Sequence, residues 1–140
     1  MYDRPHADEL LEAAWQHLEQ FVAPALRGDH KLYFQTLVAI NVLKVVAREQ
    51  RFWPDHLRAQ WNRLNAMQDV DLPLPGEWHE GLAALAIRNR ELCYDIRAGR
   101  YDDDFLREAL YEHLYATTLE QLQVANPRYL QQLASEEPPL

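Results

Sequence analysis

Cysteine is nearly absent from this chain, which contains Cys93 alone among 140 residues. An internal disulfide therefore cannot form, and a single thiol fits a reducing compartment. The sequence also lacks an apolar run long enough to span a bilayer and an apolar segment near its first residues, so we predict a cytoplasmic protein without a membrane segment. A single domain of this length can bury roughly two-thirds of its unfolded surface, so it needs no covalent cross-link.

Glycine and serine are also scarce, with four glycines and one serine, Ser135. Glycine-rich phosphate loops are absent from the sequence, and a serine nucleophile could come only from near the C-terminus. The six histidines include no pair four residues apart and no Glu-x-x-His motif, so we predict no metal site and no cofactor. An enzyme that uses His113 or Cys93 remains an alternative, although Cys93 is most simply interpreted as a small core residue.

Basic residues are outnumbered, with 14 lysines and arginines against 22 acids and a formal net charge of -8. This acidity disfavours nonspecific nucleic-acid binding because it repels phosphate backbones. Lys44, Arg48 and Arg51 nevertheless recur at the spacing i, i+4, i+7 and form a cationic stripe on one helix face. The stripe is either a solvated face or a docking point for a phosphate or an acidic partner.

The most apolar stretch covers residues 32–51, whose middle reads LVAINVLKVVA. A helix without a polar face should be surrounded by other elements, so this segment is predicted to be central. Apolar residues at helical spacing predict further helices at residues 5–22, from Pro54 onward, at 77–98 and from about 104. The sequence therefore predicts an all-α fold: a single up-and-down bundle of about five helices around a central helix at about residues 31–51.

Residues 1–130 are predicted to form this one domain, and residues 131–140 a flexible acidic and proline-bearing tail. Four polar residues lie within or beside apolar stripes or end a helix: Asn41, Asn89, His113 and Asn126. A buried amide or imidazole needs hydrogen-bond partners, so these residues either link helices or contact a ligand. If their helices face each other, Asn41 and Asn89 could bond directly.

Tyrosine and arginine cluster at two places that are candidates for partner binding. Arg97 and Tyr101 lie near the end of the fourth predicted helix, and Arg128 and Tyr129 follow the fifth. These residue types are common in interfaces, but tyrosine also rims cores. If the two helices are antiparallel, the clusters lie at opposite ends and form two patches.

Several segments carry a resemblance to a known family. They include the run ELLEAAWQHLEQFVAPALRG after Asp3-Arg4-Pro5, the pattern Asn89-x-x-Leu92-Cys93-x-x-Ile96-Arg97-x-Gly99, the central AINVL, and LYATTLEQLQVANPRYL, which ends in the NPRY motif. Together they resemble the small bacterial helical family named domain of unknown function 6285. The resemblance extends to about Leu130 and is weakest at residues 51–76, whose role the sequence leaves open.

The resemblance implies a function through the genes that typically accompany the family. These encode kinases similar to aminoglycoside phosphotransferases, and acyl-CoA dehydrogenases. We therefore expect this chain to be a non-catalytic accessory subunit of such a kinase. The kinase itself would act on hydroxyacyl-CoA in acid catabolism. The alternatives are a stand-alone helical module that binds an acyl group or CoA, and an uncharacterised enzyme. The sequence also allows assembly into a homo-oligomer.

Overall fold

The structure is a computed structural model that describes residues 4–136, and within this range it contains helices and no strands. The predicted all-α class is therefore confirmed. The elements in chain order are α1 (Ala7–His17), a π-helical turn (Leu18–Val22), α2 (Ala23–Ala25), α3 (His30–Gln68), α4 (Trp78–Arg97), α5 (Asp104–Ala125) and α6 (Pro127–Glu136).

Helix α3 is the central element, because α1, the π-helical turn, α2, α4 and α5 all pack against it. Its extent differs from the prediction: the second and third predicted helices are one helix, His30–Gln68, with Pro54 in its interior. An interior proline costs about 3 kcal/mol because it removes a backbone hydrogen bond. Burial of Leu57 and Leu64, each contributing about 1.5–3 kcal/mol, offsets this cost.

A second proline, Pro24, explains the irregular end of the first helix. Proline lacks an N–H and its ring crowds the carbonyl four residues earlier, which weakens α-helical geometry in the preceding turn. The chain widens into the π-helical turn Leu18–Val22 and continues as the short α2. The predicted helix at residues 5–22 therefore ends earlier as an α-helix, at His17.

Residues 69–77 form an extended linker that runs back along α3. The carbonyl of Leu72 accepts hydrogen bonds from Trp61 Nε1 at 2.7 Å and from Asn65 Nδ2 at 3.0 Å. The linker returns toward the middle of α3, so the start of α4 lies beside that middle, where Gly81 packs against Leu57. Helix α4 therefore runs in the same direction as α3. At this one connection the chain departs from the predicted up-and-down order.

The core lies around the C-terminal half of α3. Leu57, Trp61 and Leu64 of α3 pack with Leu85 and Leu92 of α4, and Leu110 of α5 closes the cluster. Gly81 lets α4 approach closely, since an added Cβ would lie 3.0 Å from a Leu57 methyl group. The core therefore joins three helices that are far apart in sequence.

Caps define three of the helix ends. Asp29 Oδ1 accepts the backbone N–H of Leu32 at 3.0 Å, and Asp103 caps α5 in the same manner through Phe105 and Leu106. Gly99 follows α4 with φ +80°, the left-handed conformation that glycine adopts without strain. Residues 131–136, assigned to the tail by the sequence, belong to α6, and residues 137–140 lie outside the described range.

The N-terminal half of α3 is not surrounded, contrary to the prediction for residues 32–51. Ile40 and Ala47 are buried on the side that faces α1, whereas Phe34, Val38 and Val42 are exposed on the other side. The reason is length: α3 has 39 residues and α5 only 22, so α5 covers α3 only toward its C-terminal half. One apolar face of α3 is consequently open.

We predict that Leu64→Ala destabilises the protein by about 2–5 kcal/mol, because it removes a fully buried side chain and leaves a cavity. Phe105→Ala is the matched control; its ring is 79 % exposed, so the change should stay within about 0.5 kcal/mol. Urea denaturation followed by circular dichroism measures both. Equal effects of the two substitutions would contradict the assignment of the core.

Candidate functional site

A mainly apolar cavity of about 340 Å³ lies between α3, α4 and α5. Trp53, Leu82 and Val124 contribute to its apolar walls, and the carboxylates of Glu49 and Glu120 lie at its lining. No lysine or arginine lines it. Its size is at the lower end of small-molecule sites. The lining favours an apolar group and disfavours phosphate at the same position.

A polar cluster lies beside this cavity, between α3 and α5. Arg63 binds Glu120 through two hydrogen bonds of 2.7 and 2.9 Å, and its Nη2 also donates to Thr117 at 3.2 Å. The fork geometry of arginine matches a carboxylate, so this pair fixes the register of α3 against α5. The guanidinium of Arg63 therefore balances the charge of Glu120, although Glu120 also lines the cavity.

His113 is buried on α5 in the same cluster, as its predicted position near an apolar face suggested. Its Nδ1 and the Nε of Arg63 are buried without hydrogen-bond partners. Burial lowers the pKa of His113 below its usual value, and the positive charges of Arg63 and Arg88 lower it further, against the opposing effect of Glu120. The imidazole is therefore neutral in the folded protein at neutral pH.

Arg88 on α4 is the buried polar residue that the sequence did not indicate. Its guanidinium donates to Asn65 Oδ1 at 2.8 Å and to Gln68 Oε1 at 2.7 Å, and it lies 4.5 Å from the centre of the Trp61 ring. Desolvation lowers its pKa from the ordinary value, while Glu91 raises it. Arg88 thus joins α4 to the last turns of α3 through neutral partners and an aromatic face.

Asn41 and Asn89 are both exposed, so the prediction that these amides are buried and could bond each other is wrong. On α4 the buried face runs through Gly81, Leu85, Arg88 and Leu92. Leu85 and Leu92 are buried as the apolar pattern predicts, but the buried face is rotated away from Asn89, toward Gly81 and Arg88. The same rotation places Cys93 at the surface, which corrects its interpretation as a core residue.

The cationic stripe is occupied by partners within the chain. Lys44 Nζ lies 2.6 Å from Glu19 Oε1, and Arg51 contacts Asp8 at 3.3 Å and Glu12 at 3.4 Å. Arg48 Nε donates to the carbonyl of Val124 at 2.7 Å. The stripe therefore fastens α1 and α5 to α3, and its role as an anion site stays a prediction.

The residues predicted for partner binding lie in two separate places. Arg97 is exposed at the end of α4, and the nearby Tyr101 packs partly against the core, where burial and then Asp95 raise the pKa of its phenol. Arg128 and Tyr129 are exposed at the start of α6. Because α5 has 22 residues between the two places and spans about 33 Å, they form two patches as predicted.

Asn126 is exposed rather than buried, and it acts as a local cap. Its Oδ1 accepts the backbone N–H of Tyr129 at 3.2 Å, and its carbonyl accepts the same N–H at 3.1 Å. The NPRY motif is therefore a turn between α5 and α6, in which Pro127 occupies the first helical position. This gives Asn126 a structural role in positioning α6.

One side of α5 is exposed and rich in tyrosine. Leu110 and His113 are buried, while Tyr111 is 72 % exposed and Tyr115 and Leu114 are about half exposed. We call Tyr111, Leu114, Tyr115 and Thr118 the α5 face; together they line a shallow depression. The spacing of Tyr111 and Tyr115 was the signal for this face, but it could not distinguish an interface from a core rim.

Among residues 4–136, no group of three or more histidine, cysteine, aspartate or glutamate side chains is placed to hold a metal ion. The helices of the described part of the chain include none that is long and apolar enough to cross a bilayer.

Comparison with known families gives one match: residues 24–129 match the family described as Domain of unknown function (DUF6285). No curated protein and no solved structure matches the chain. The matched range starts before α3 and ends at Tyr129, so it contains α3, α4 and α5 entirely.

We predict that stability falls as the pH drops below about 6.5, because His113 accepts a proton more readily in the unfolded chain than when buried. The contribution of His113 to the free energy of unfolding is complete above the pKa that this side chain has in the unfolded chain. It is lost as the pH falls through the lower pKa of His113 in the folded protein. Denaturant titrations across this range measure the effect.

His113→Gln should flatten this part of the pH profile, whereas His79→Gln, at an exposed position of α4, should leave it unchanged. A wild-type profile that is flat between pH 6.5 and the acid transition of the carboxylates would contradict the buried, neutral state of His113.

Proposed function

The chain belongs to the family described as Domain of unknown function (DUF6285), and from this membership we propose that it is a non-catalytic accessory subunit of an aminoglycoside-phosphotransferase-like kinase. The kinase would act on hydroxyacyl-CoA in acid catabolism. The resemblance supplies the identity of this partner, and the structure supports the proposal by offering a surface that suits a protein partner.

The observation that carries the proposal is the α5 face. Tyr111 and Tyr115 lie one helical turn apart with Leu114 between them, and all three are exposed on the outside of the protein. Tyrosine buries a large area at low entropic cost and can still donate a hydrogen bond, so such residues dominate binding energies in interfaces. Two exposed tyrosines on a rigid helix form a preorganised contact surface.

The charges beside the α5 face indicate the kind of surface it would meet. Asp104, Glu108 and Glu112 lie with Tyr111 around a second depression on the same helix, where Arg107 is the only cation. An acidic border favours a partner with basic residues at its edge and speeds association with it. We expect the kinase surface that binds α5 to carry such residues.

In this proposal the chemical step stays with the kinase. Phosphoryl transfer depends on positioned cations and phosphate contacts, which an acidic helical subunit without a glycine-rich loop does not provide in its own sequence. The subunit would stabilise the folded kinase or complete its acyl-CoA site. Arg97, Tyr101, Arg128 and Tyr129 remain candidates for additional contacts.

A stand-alone acyl-binding module is the second candidate, because the cavity between α3, α4 and α5 suits an apolar chain. Its walls include Trp53, Leu82 and Val124, and its carboxylates would repel the phosphates of coenzyme A if these entered as well. The cavity is therefore suited to the acyl end of such a ligand, with the nucleotide end held outside.

We predict that Tyr111→Ala combined with Tyr115→Ala weakens kinase binding at least about tenfold, because it removes the large side chains of the contact surface. Tyr94→Ala is the matched control, since Tyr94 is also an exposed tyrosine but lies on α4. Co-expression with the kinase, size-exclusion chromatography and titration calorimetry measure the effect.

Two further variants, Arg128→Ala and Tyr129→Ala, test the patch at the start of α6 in the same assay. Undiminished binding of all these variants would remove both assignments, and separate elution of a fully active kinase from the wild-type protein would remove the accessory-subunit proposal itself.

For the second candidate, we predict that a long-chain acyl-CoA raises the melting temperature and free coenzyme A does not, because only the acyl chain enters the cavity. Stabilisation grows as RT ln(1 + [L]/Kd), so a large ligand excess reveals weak binding. Leu82→Gln places an amide in the wall and should reduce the shift. No shift at high excess, or equal shifts with both ligands, would reject acyl binding in this cavity.

A further inference from the structure

The open face of α3 has a regular pattern. Phe34, Leu37, Val38, Asn41, Val42 and Val45 fall on one side of the helix, and we call them the α3 stripe. Phe34 is 66 % exposed, and Val38 and Val42 are about half exposed. Phe34, Val38, Asn41 and Val45 are spaced by four, three and four residues, which is the seam spacing of paired helices.

The α3 stripe is uncharged, although the chain as a whole carries -8. Its single polar member is Asn41, which is exposed in the middle of the stripe. In paired helices, one asparagine at a seam position selects the register and the number of chains, because it can be satisfied only by an amide opposite. Asn41 occupies such a seam position in the α3 stripe.

The total accessible surface of the chain supports an uncovered interface. It is 10609 Å² for 16.5 kDa, whereas a compact monomer of this mass exposes about 7,600 Å². The excess of about 3,000 Å² belongs to the chain as a whole, and it exceeds the roughly 800 Å² that each partner buries in a standard-size interface, so enough surface is open to form one. Phe21, in the π-helical turn, is likewise 66 % exposed.

We propose that the α3 stripe binds the same stripe of a second copy of this chain. The two α3 helices would be antiparallel, with the two-fold axis passing between Val38 and Asn41. Val38 of each copy then packs against residue 41 of the other, and the two Asn41 amides, one on each side of the axis, bond each other across it. Phe34 of each copy covers Val45 of the other.

Charge favours the antiparallel arrangement over a parallel one. The α4 and α5 helices and the core lie toward the C-terminal end of α3, and in an antiparallel pair these acidic parts point away from each other. A parallel pair would place two acidic bodies side by side and repel them. The interface goes beyond the kinase proposal, because it concerns a different face and a different partner.

The first test is the mass of the purified chain by light scattering after size exclusion, with Val38→Glu as the variant. We expect a dimer of twice 16.5 kDa for the wild type and a folded monomer for Val38→Glu, since the substitution brings two carboxylates together at the axis. Asn62→Glu is the control; Asn62 is exposed on the same helix outside the stripe and should leave the dimer intact.

A second test identifies the contact residues by cross-linking. In a Cys93→Ala background, Asn41→Cys should form a disulfide-linked dimer on mild oxidation, and Asn62→Cys should not. A wild-type monomer at high concentration, or a dimer that survives Val38→Glu, would overturn the proposal. Loss of kinase binding by Val38→Glu in a chain that is monomeric alone would also overturn it and assign the stripe to the kinase.

Discussion

The contact of α3 with α4 and α5 through Leu57, Trp61 and Leu64 is the interaction on which the rest of the structure depends. These residues anchor one half of a helix of 39 residues, whose full length is about 58 Å. Helices of 20 and 22 residues cannot cover that length, so the other half of α3 extends beyond the core. Both the stable part of the molecule and its uncovered surface follow from this difference in length.

Polar interactions then fix how the helices are aligned. Arg63 joins α3 to α5 through Glu120, and Arg88 joins α4 to α3 through two amides and the ring of Trp61. Lys44 holds the π-helical turn and Arg51 holds α1 by ion pairs that are partly exposed, and such pairs contribute less to stability. The molecule is therefore most firmly joined around the core and more loosely joined where α1 lies on α3.

The sequence predicted the features that depend on local chemistry. The all-α class, the central position of the apolar helix and the approximate bounds of the helix at 77–98 follow from periodicity and from the conformational preferences of single residues. These properties are set by neighbours along the chain. They need no knowledge of which helices meet.

Features that depend on distant contacts were not predictable in the same way. Pro54 predicted a break, but the energy of the core on its C-terminal side keeps α3 continuous. On α4, hydrophobicity alone predicted that the side with Asn89 and Cys93 is buried. The local sequence does not reveal that Arg88 finds amide partners and a tryptophan ring on α3. The open side of α3 was missed for a related reason: an apolar helix is expected to be enclosed only if enough chain is available to enclose it.

The exposed position of Cys93 has a practical consequence. It is the one thiol of the chain, and it lies on α4, outside both the α3 stripe and the α5 face. A thiol-reactive spin label or fluorophore therefore attaches at a single native site, without any substitution and outside these two surfaces. Each chain then carries one reporter, so the distance between reporters in an assembly depends only on how its chains are arranged.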